Sequence, residues 1–103
     1  MKSPRPCRLK GTTYEMRSSC GKVYVVCNDH DGALFEVFIR LAKSGTCAAA
    51  IVNSIAVSTS IALRSGARPV DLARGLVGNG CSKSESCIDA IGRAMFLHLG
   101  EEG

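Results

Sequence analysis

Lys22-Val23-Tyr24-Val25-Val26-Cys27-Asn28-Asp29-His30-Asp31-Gly32-Ala33-Leu34-Phe35-Glu36-Val37-Phe38-Ile39-Arg40-Leu41 reads as two strands joined by a polar turn. Val23, Val25 and Cys27 alternate onto one side of the first strand, Lys22 to Asn28. Phe35, Val37, Ile39 and Leu41 form the inward set of the second, Ala33 to Leu41, alternating with Glu36 and Arg40. Between them, Asn28-Asp29-His30-Asp31-Gly32 has the composition of a bulged hairpin loop, so the two strands run antiparallel. The polar alternates predict that the other face of the sheet is wet.

Upstream, the same period of two begins at Thr12, with Tyr14 and Met16 on one side of a strand and Glu15 and Arg17 on the other, until Cys20-Gly21 interrupts it. Residues 1–10 carry Pro4, Pro6, Lys2, Arg5, Arg8 and Lys10, which suits an extended basic arm or linker with solvated charges. Downstream of Lys43-Ser44-Gly45 the period changes. Thr46 can cap a helix from Cys47 through Ala50, Ile51, Val52, Ile55, Ala56, Ile61 and Leu63 to Gly66. Its side chains are small and apolar on most sides, which predicts the central buried helix. Pro69 opens a second, short helix reaching Leu76, stopped by Gly78-Asn79-Gly80. Ser86 and Asp89 make a box-like start for a third, with Ile88, Ile91, Met95 and Leu99 as its core stripe and Gly100 at its end. The predicted fold is α+β: a three-stranded antiparallel meander followed by three helices packed on one face. One domain spans 11–100, and 101–103 form a tail.

Length and composition bound what such a domain can do. With 103 residues the chain supports one core, burying roughly 65% of the surface of the unfolded chain. The net charge of +4 is dispersed and comes with five aromatic residues (two Tyr, three Phe), which argues against a nucleic-acid partner. There is no signal-like apolar run near Met1 and no membrane-length stretch, so a soluble, cytoplasmic protein without membrane contact is expected. No GxGxxG, Walker loop or Ser-His-Asp arrangement is present. His30, between two aspartates in a turn, reads as solvated. His98 falls in the last helical turn, where a cation is favoured, at the end opposite Cys20, Cys47, Cys81 and Cys87.

Six cysteines in a reducing compartment point to metal ligands, redox groups or small core residues. In a meander, the first turn, which holds Cys20, lies at the same end as the exit of the third strand. Cys47 starts its helix just beyond that exit. That helix runs back along the sheet, and the short second helix returns the chain toward the starting end, delivering Cys81 and then Cys87. Connectivity therefore gathers Cys20, Cys47, Cys81 and Cys87 at one edge. Cys47 and Cys87 open helices, where free N–H groups and the helix dipole favour thiolates. Four sulfurs suit tetrahedral zinc and could also hold iron or an iron–sulfur cluster. Two further readings stay open: redox-active thiols, or cysteines that merely fill space. Cys27 reads as a packed core thiol, and Cys7 belongs to the arm.

Arg5-Pro6, Leu9, Gly11-Thr12-Thr13-Tyr14, Cys20-Gly21-Lys22-Val23-Tyr24-Val25 and Phe35-Glu36-Val37-Phe38-Ile39 together resemble the TSCPD domain. That domain is found at the C-terminal end of adenosylcobalamin-dependent ribonucleotide reductases and in small free-standing relatives. Lys43-Ser44-Gly45-Thr46-Cys47-Ala48-Ala49-Ala50 and Ala62-Leu63-Arg64-Ser65-Gly66 extend the resemblance over almost the whole chain, all four proposed ligand positions included. The family's naming motif stands here as Glu85-Ser86-Cys87-Ile88-Asp89, with Ile88 for proline and Glu85 for threonine. A fainter similarity, to NifU/IscU-type iron–sulfur scaffolds, implies a shared fold; the aspartate that follows their first Cys-Gly is replaced by Lys22.

The resemblance implies a metal-binding accessory or C-terminal module of ribonucleotide reductase, supporting deoxyribonucleotide synthesis through contacts with the catalytic chain. Catalysis and adenosylcobalamin would belong to the larger reductase, and a homo-oligomer is compatible with it. Two alternatives are an iron–sulfur or metal carrier, and a thiol relay through Cys81 and Cys87 that re-reduces the enzyme.

Overall fold

The computed structural model describes residues 5–18, 21–41, 47–78, 80–81, 84–85 and 87–100, with the side chains of 47–49, 80–81, 84–85 and 87 outside that description. Three strands, β1 (Lys10–Ser18), β2 (Gly21–His30) and β3 (Ala33–Leu41), form an antiparallel sheet in sequence order. Helices α1 (Cys47–Arg64) and α2 (Pro69–Leu76) follow, then a two-stranded ribbon of β4 (Gly80–Cys81) and β5 (Ser84–Glu85), then α3 (Cys87–Leu99). The α+β meander with three helices is therefore present; the ribbon is an addition that its two-residue strands left without a periodic signal.

The β2–β3 connection is tighter than its composition suggests. β2 continues to His30, which pairs with Ala33, and the loop is only Asp31-Gly32, with φ of 53° and 78°. Both central residues are left-handed, as the twist of a two-residue hairpin requires. The bulge sits in the ladder at Asn28/Asp29. It brings both Leu34 and Phe35 into the interior, on either side of what strict alternation allows.

Pairing sets the two faces. Met16, Val23, Val25, Cys27 and Val37 point inward and are buried, Cys27 and its valine neighbours completely. α3 lies against β1 and β2, α1 against β3, and α2 against α3. At the β3 edge, the Val37 N–H donates to Ser60 Oγ and the Ser60 hydroxyl donates to Val37 O, both at 2.9 Å, so α1 satisfies part of an otherwise open edge.

α1 is not the central helix. Val52, Ala56, Thr59 and Leu63 face the interior, but Ile51, Val57 and Ile61 remain about half exposed. The central helix is α3, whose Ala90, Ile91, Ala94 and Met95 are fully buried. α3 has the sheet on one side and α2 on another, whereas α1 covers mainly one edge strand. Gly92 permits this: a Cβ there would come within 2.7–2.9 Å of Val77 and the Ala73 carbonyl. α1 ends as expected at Gly66 (φ 100°), where Ala67 N–H donates to Ala62 O and Gly66 N–H to Leu63 O. The caps proposed at Thr46 and Ser86 lie outside the described residues. Asp89 accepts from Gly78 N–H at 2.7 Å and from Arg93 Nε at 2.6 Å.

The wet outer face holds with one correction. Glu36, expected in solvent, is only 2% exposed. Arg5 from the N-terminal arm closes over it, with Nε at 2.9 and 3.1 Å and Nη2 at 2.9 Å from its carboxylate, and Asn28 Nδ2 donates at 2.9 Å. Gly11, directly opposite Asn28 in the ladder, leaves the room that this amide occupies. Strand alternation gives a residue's face, not what the chain later lays across it.

Candidate functional site

The end of the sheet holding the β1–β2 turn can be followed from hydrogen bonds alone. Ser18 pairs with Gly21 and Val23 with Leu41, so that turn and the exit of β3 share one end. α1 runs antiparallel to β3: Ser60 meets Val37, and the Arg64 guanidinium lies 5.4 Å above the Phe35 ring. Going back from Ser60 to Cys47 covers roughly 20 Å of helix, so the first turn of α1 sits at the Leu41 end. α3 is oriented by two contacts. Arg93 Nη2 donates to Arg17 O at 2.7 Å near the turn, and His98 meets Tyr14 and Asp29 at the far end. Cys87, roughly 9 Å of helix before Arg93, therefore starts α3 at the turn end. The β4–β5 ribbon, in which Cys81 pairs with Ser84, leads directly into it, and the Gly78 to Asp89 bond ties the approach to the first turn of α3.

Among the four cysteines named from the sequence, Cys20 lies outside the described residues, between the paired Ser18 and Gly21. Cys47, Cys81 and Cys87 are placed by their backbones, at the first residue of α1, in β4 and at the first residue of α3; their side chains lie outside the description. Among the described residues no cluster of three or more His, Cys, Asp or Glu side chains could hold a metal ion. The donor chemistry nonetheless fits a soft cation. α1 has no acidic residue in its first turn, and the one in α3, Asp89, is occupied by Arg93 and Gly78. The N–H dipoles at both helix starts would favour thiolates there.

Cys27 and Cys7 behave as read. Cys27 is fully buried on the inner face, and burial, helped by the Asp29 charge, pushes its thiol up to about 12, far from the reactive range. Cys7 is exposed in the arm. His30 packs edge-on against Phe35 with centroids 5.2 Å apart and lies 3.4 Å from Asp31, so it is half-solvated rather than free.

The opposite end of α3 carries a group that sequence reasoning missed. His98, 10% exposed, has both ring nitrogens engaged: Nδ1 with Tyr14 Oη at 2.9 Å and Nε2 with Asp29 Oδ1 at 2.7 Å. Burial first, then the Cys27 and Asp29 charges, raise the Tyr14 hydroxyl above its ordinary value, so it stays a neutral hydrogen-bonding group. The only available signal was that Tyr14 and Asp29 share inward parity on adjacent strands; no local motif links either to His98.

A family model for the TSCPD domain matches residues 1–99. The chain belongs to the TSCPD domain family. This family is associated with ribonucleotide reductases, which agrees with the sequence resemblance. Neither the curated proteins nor the solved structures searched gave a match. Among the described residues no helix is long and apolar enough to cross a membrane.

Proposed function

We propose that this TSCPD domain is a metal-stabilised accessory module of ribonucleotide reductase, holding a zinc-type ion through Cys20, Cys47, Cys81 and Cys87. The observation that supports the reading is that strand pairing and helix direction put the ends of β1 and β2 at their turn and the starts of α1 and α3 toward one end of the sheet, with the β4–β5 ribbon leading into α3. Each of these segments contains or encloses one of the four cysteines in the sequence. A zinc ion would supply a closed tetrahedral cross-link between segments that are far apart along the chain. Its contribution would be to folding and to the presentation of a docking surface to the reductase catalytic chain. Chemistry and adenosylcobalamin remain with that chain.

Elemental analysis of the purified protein tests the site. One zinc per chain is expected, colourless and stable to reductant. Cys47→Ser and Cys87→Ser should each lose metal and lower Tm by about 10 °C or more, because a structural site contributes directly to folding. Either variant keeping both metal and stability would remove the site. A coloured, reductant-sensitive species after anaerobic reconstitution would indicate an iron–sulfur carrier. Reversible loss of two thiols without metal release would indicate a thiol relay through Cys81 and Cys87. Capture of the reductase catalytic chain by the metal-loaded protein, and not by the Cys87→Ser variant, tests the partnership.

A further inference from the structure

α1 and α3 pack on one face of the sheet, and among the described residues only Arg5 of the N-terminal arm is laid over the other. Ladder pairing arranges its residues in rows. Gly11, Asn28 and Glu36 form the row closed by Arg5; Thr13, Val26 and Phe38 form the next; Glu15, Tyr24 and Arg40 the third; Arg17 and Lys22 the last. The middle rows line a shallow depression of about 600 Å³ bounded by Thr13, Tyr24, Val26, Phe38, Ile39 and Arg40.

Two of the chain's five aromatic residues meet there. Phe38 is 46% exposed on this face. Tyr24 lies diagonally across the strand pair from it, at a Cβ spacing of roughly 7–8 Å, and is steadied by donating its hydroxyl to Glu15 at 3.2 Å. Lys22 offsets Glu15 at 3.5 Å, and Arg5 offsets Glu36. The two carboxylates of the face are thereby neutralised. Arg40, opposite Tyr24, and Arg17, opposite Lys22, make no side-chain ion pair or hydrogen bond among the described residues. What remains is the half-exposed Phe38 ring with the partly buried Tyr24 ring diagonal to it, flanked along the sheet by two guanidinium groups that are unpaired among the described residues.

We propose that this outer face binds single-stranded nucleic acid, with bases stacked on Phe38 and Tyr24 and backbone phosphates on Arg40 and Arg17. The rings can take successive bases of an extended strand, which offers unpaired π-faces. Guanidinium groups match phosphate oxygens in geometry and charge. A duplex keeps its bases inside and cannot use the rings. An acidic peptide would use the arginines and leave the rings idle. A single free nucleotide would bury little on so open a surface, whereas a strand gains from several contacts at once. The chain's dispersed charge and few aromatics hide this arrangement in the sequence; the strand register assembles it.

The test is fluorescence anisotropy with a labelled mixed-sequence oligonucleotide of about 12 nucleotides, as single strand and as duplex, between about 50 and about 200 mM salt. The single strand should bind more tightly than the duplex, and binding should weaken as salt rises. Phe38→Ala should lower single-strand affinity about tenfold and Tm by only a few degrees, since its ring is half exposed. Arg40→Ala should lower affinity and reduce the salt slope by about 1. Leu97→Ala, at an exposed position on α3, should change nothing. The chain has no Trp and two Tyr, so the share of tyrosine quenching that is lost in Tyr24→Phe reads stacking on Tyr24. No binding at low salt, equal affinity for duplex, an unaltered Phe38→Ala variant, or full displacement by polyglutamate at equal charge would each overturn the proposal.

Discussion

The inner and outer faces of the sheet are built from the same strands and the same alternation, yet they are held in different ways. Inside, Val23, Val25, Cys27 and Val37 are sealed beneath two helices, and each shares its burial with many neighbours. Outside, Phe38 is half exposed and Tyr24 partly buried, and the one closed row depends on a single guanidinium laid over Glu36. The inner face is redundant and the outer face is not. Substitutions inside should therefore act on global stability, whereas those outside should act on binding or on one local contact.

The largest loss is expected where α3 meets the end of α2. In Gly92→Ala the added methyl meets Val77 N and Ala73 O at 2.8 and 2.9 Å, and those two atoms are already joined by a 3.0 Å hydrogen bond. Backbone cannot yield as a flexible side chain would. α2 should be displaced from α3, with a loss of about 3 kcal/mol in urea unfolding; wild-type stability would mean that the packing of α2 on α3 does not depend on this glycine. Adjacent residues on β2 give a direct comparison of the faces. Cys27→Ser buries a hydroxyl among valines and should cost about 2 kcal/mol with no loss of metal. Val26→Ser, one residue away on the outer face, should cost about 0.5 kcal/mol. Equal costs would erase the distinction between the faces.

The Tyr14–His98–Asp29 group ties the inner face to the last turn of α3, and its removal should have an intermediate effect. Tyr14→Phe deletes the hydroxyl beside His98 Nδ1 and should cost about 1 kcal/mol. The Tyr14 hydroxyl titrates above its unfolded value. Its contribution is therefore complete below about pH 10 and is lost as pH rises toward the raised folded value. Alkaline unfolding followed by circular dichroism should lose that limb in the phenylalanine variant.

The parts visible in the sequence were those written into neighbouring residues. Alternation in Val23-Tyr24-Val25-Val26-Cys27, the Pro69 start of α2, and Gly66 at the close of α1 needed no tertiary knowledge, and each is where local physics puts it. α1 misled because an uncharged stretch of Ala, Ile, Val and Ser looks alike whether a partner covers it or not. α3 became the central helix through Gly92, whose meaning depends on a backbone some fifteen positions upstream. The ends of α1 and α3 that carry Cys47 and Cys87 followed from connectivity, whereas the His98 group required β1, β2 and α3 to be assembled first. Glu36 was misjudged for the same reason: its partner arrives from position 5, outside the strand pattern that defines its face.

The smallest effect belongs to that arm. Burial works against the Glu36 carboxylate, but hydrogen bonds from Arg5 and Asn28, and the charges of Arg5 and Arg64, outweigh it and hold its pKa below the ordinary value. The contribution of this group to stability is therefore fully present above the unfolded value of about 4.3. It is lost as pH falls through the lowered folded value. Arg5 is itself partly exposed, so solvent screens the pair and Arg5→Ala should lower Tm by only a few degrees. The sharper readout is local. Protease cleavage within residues 5–9 should accelerate as the carboxylate protonates, while the sheet remains folded. Glu36→Gln keeps an acceptor for Asn28 and removes the charge, so its arm should be cleaved at one rate across the acid range. If wild type and Glu36→Gln share the same acid dependence, the arm is held by contacts other than this pair.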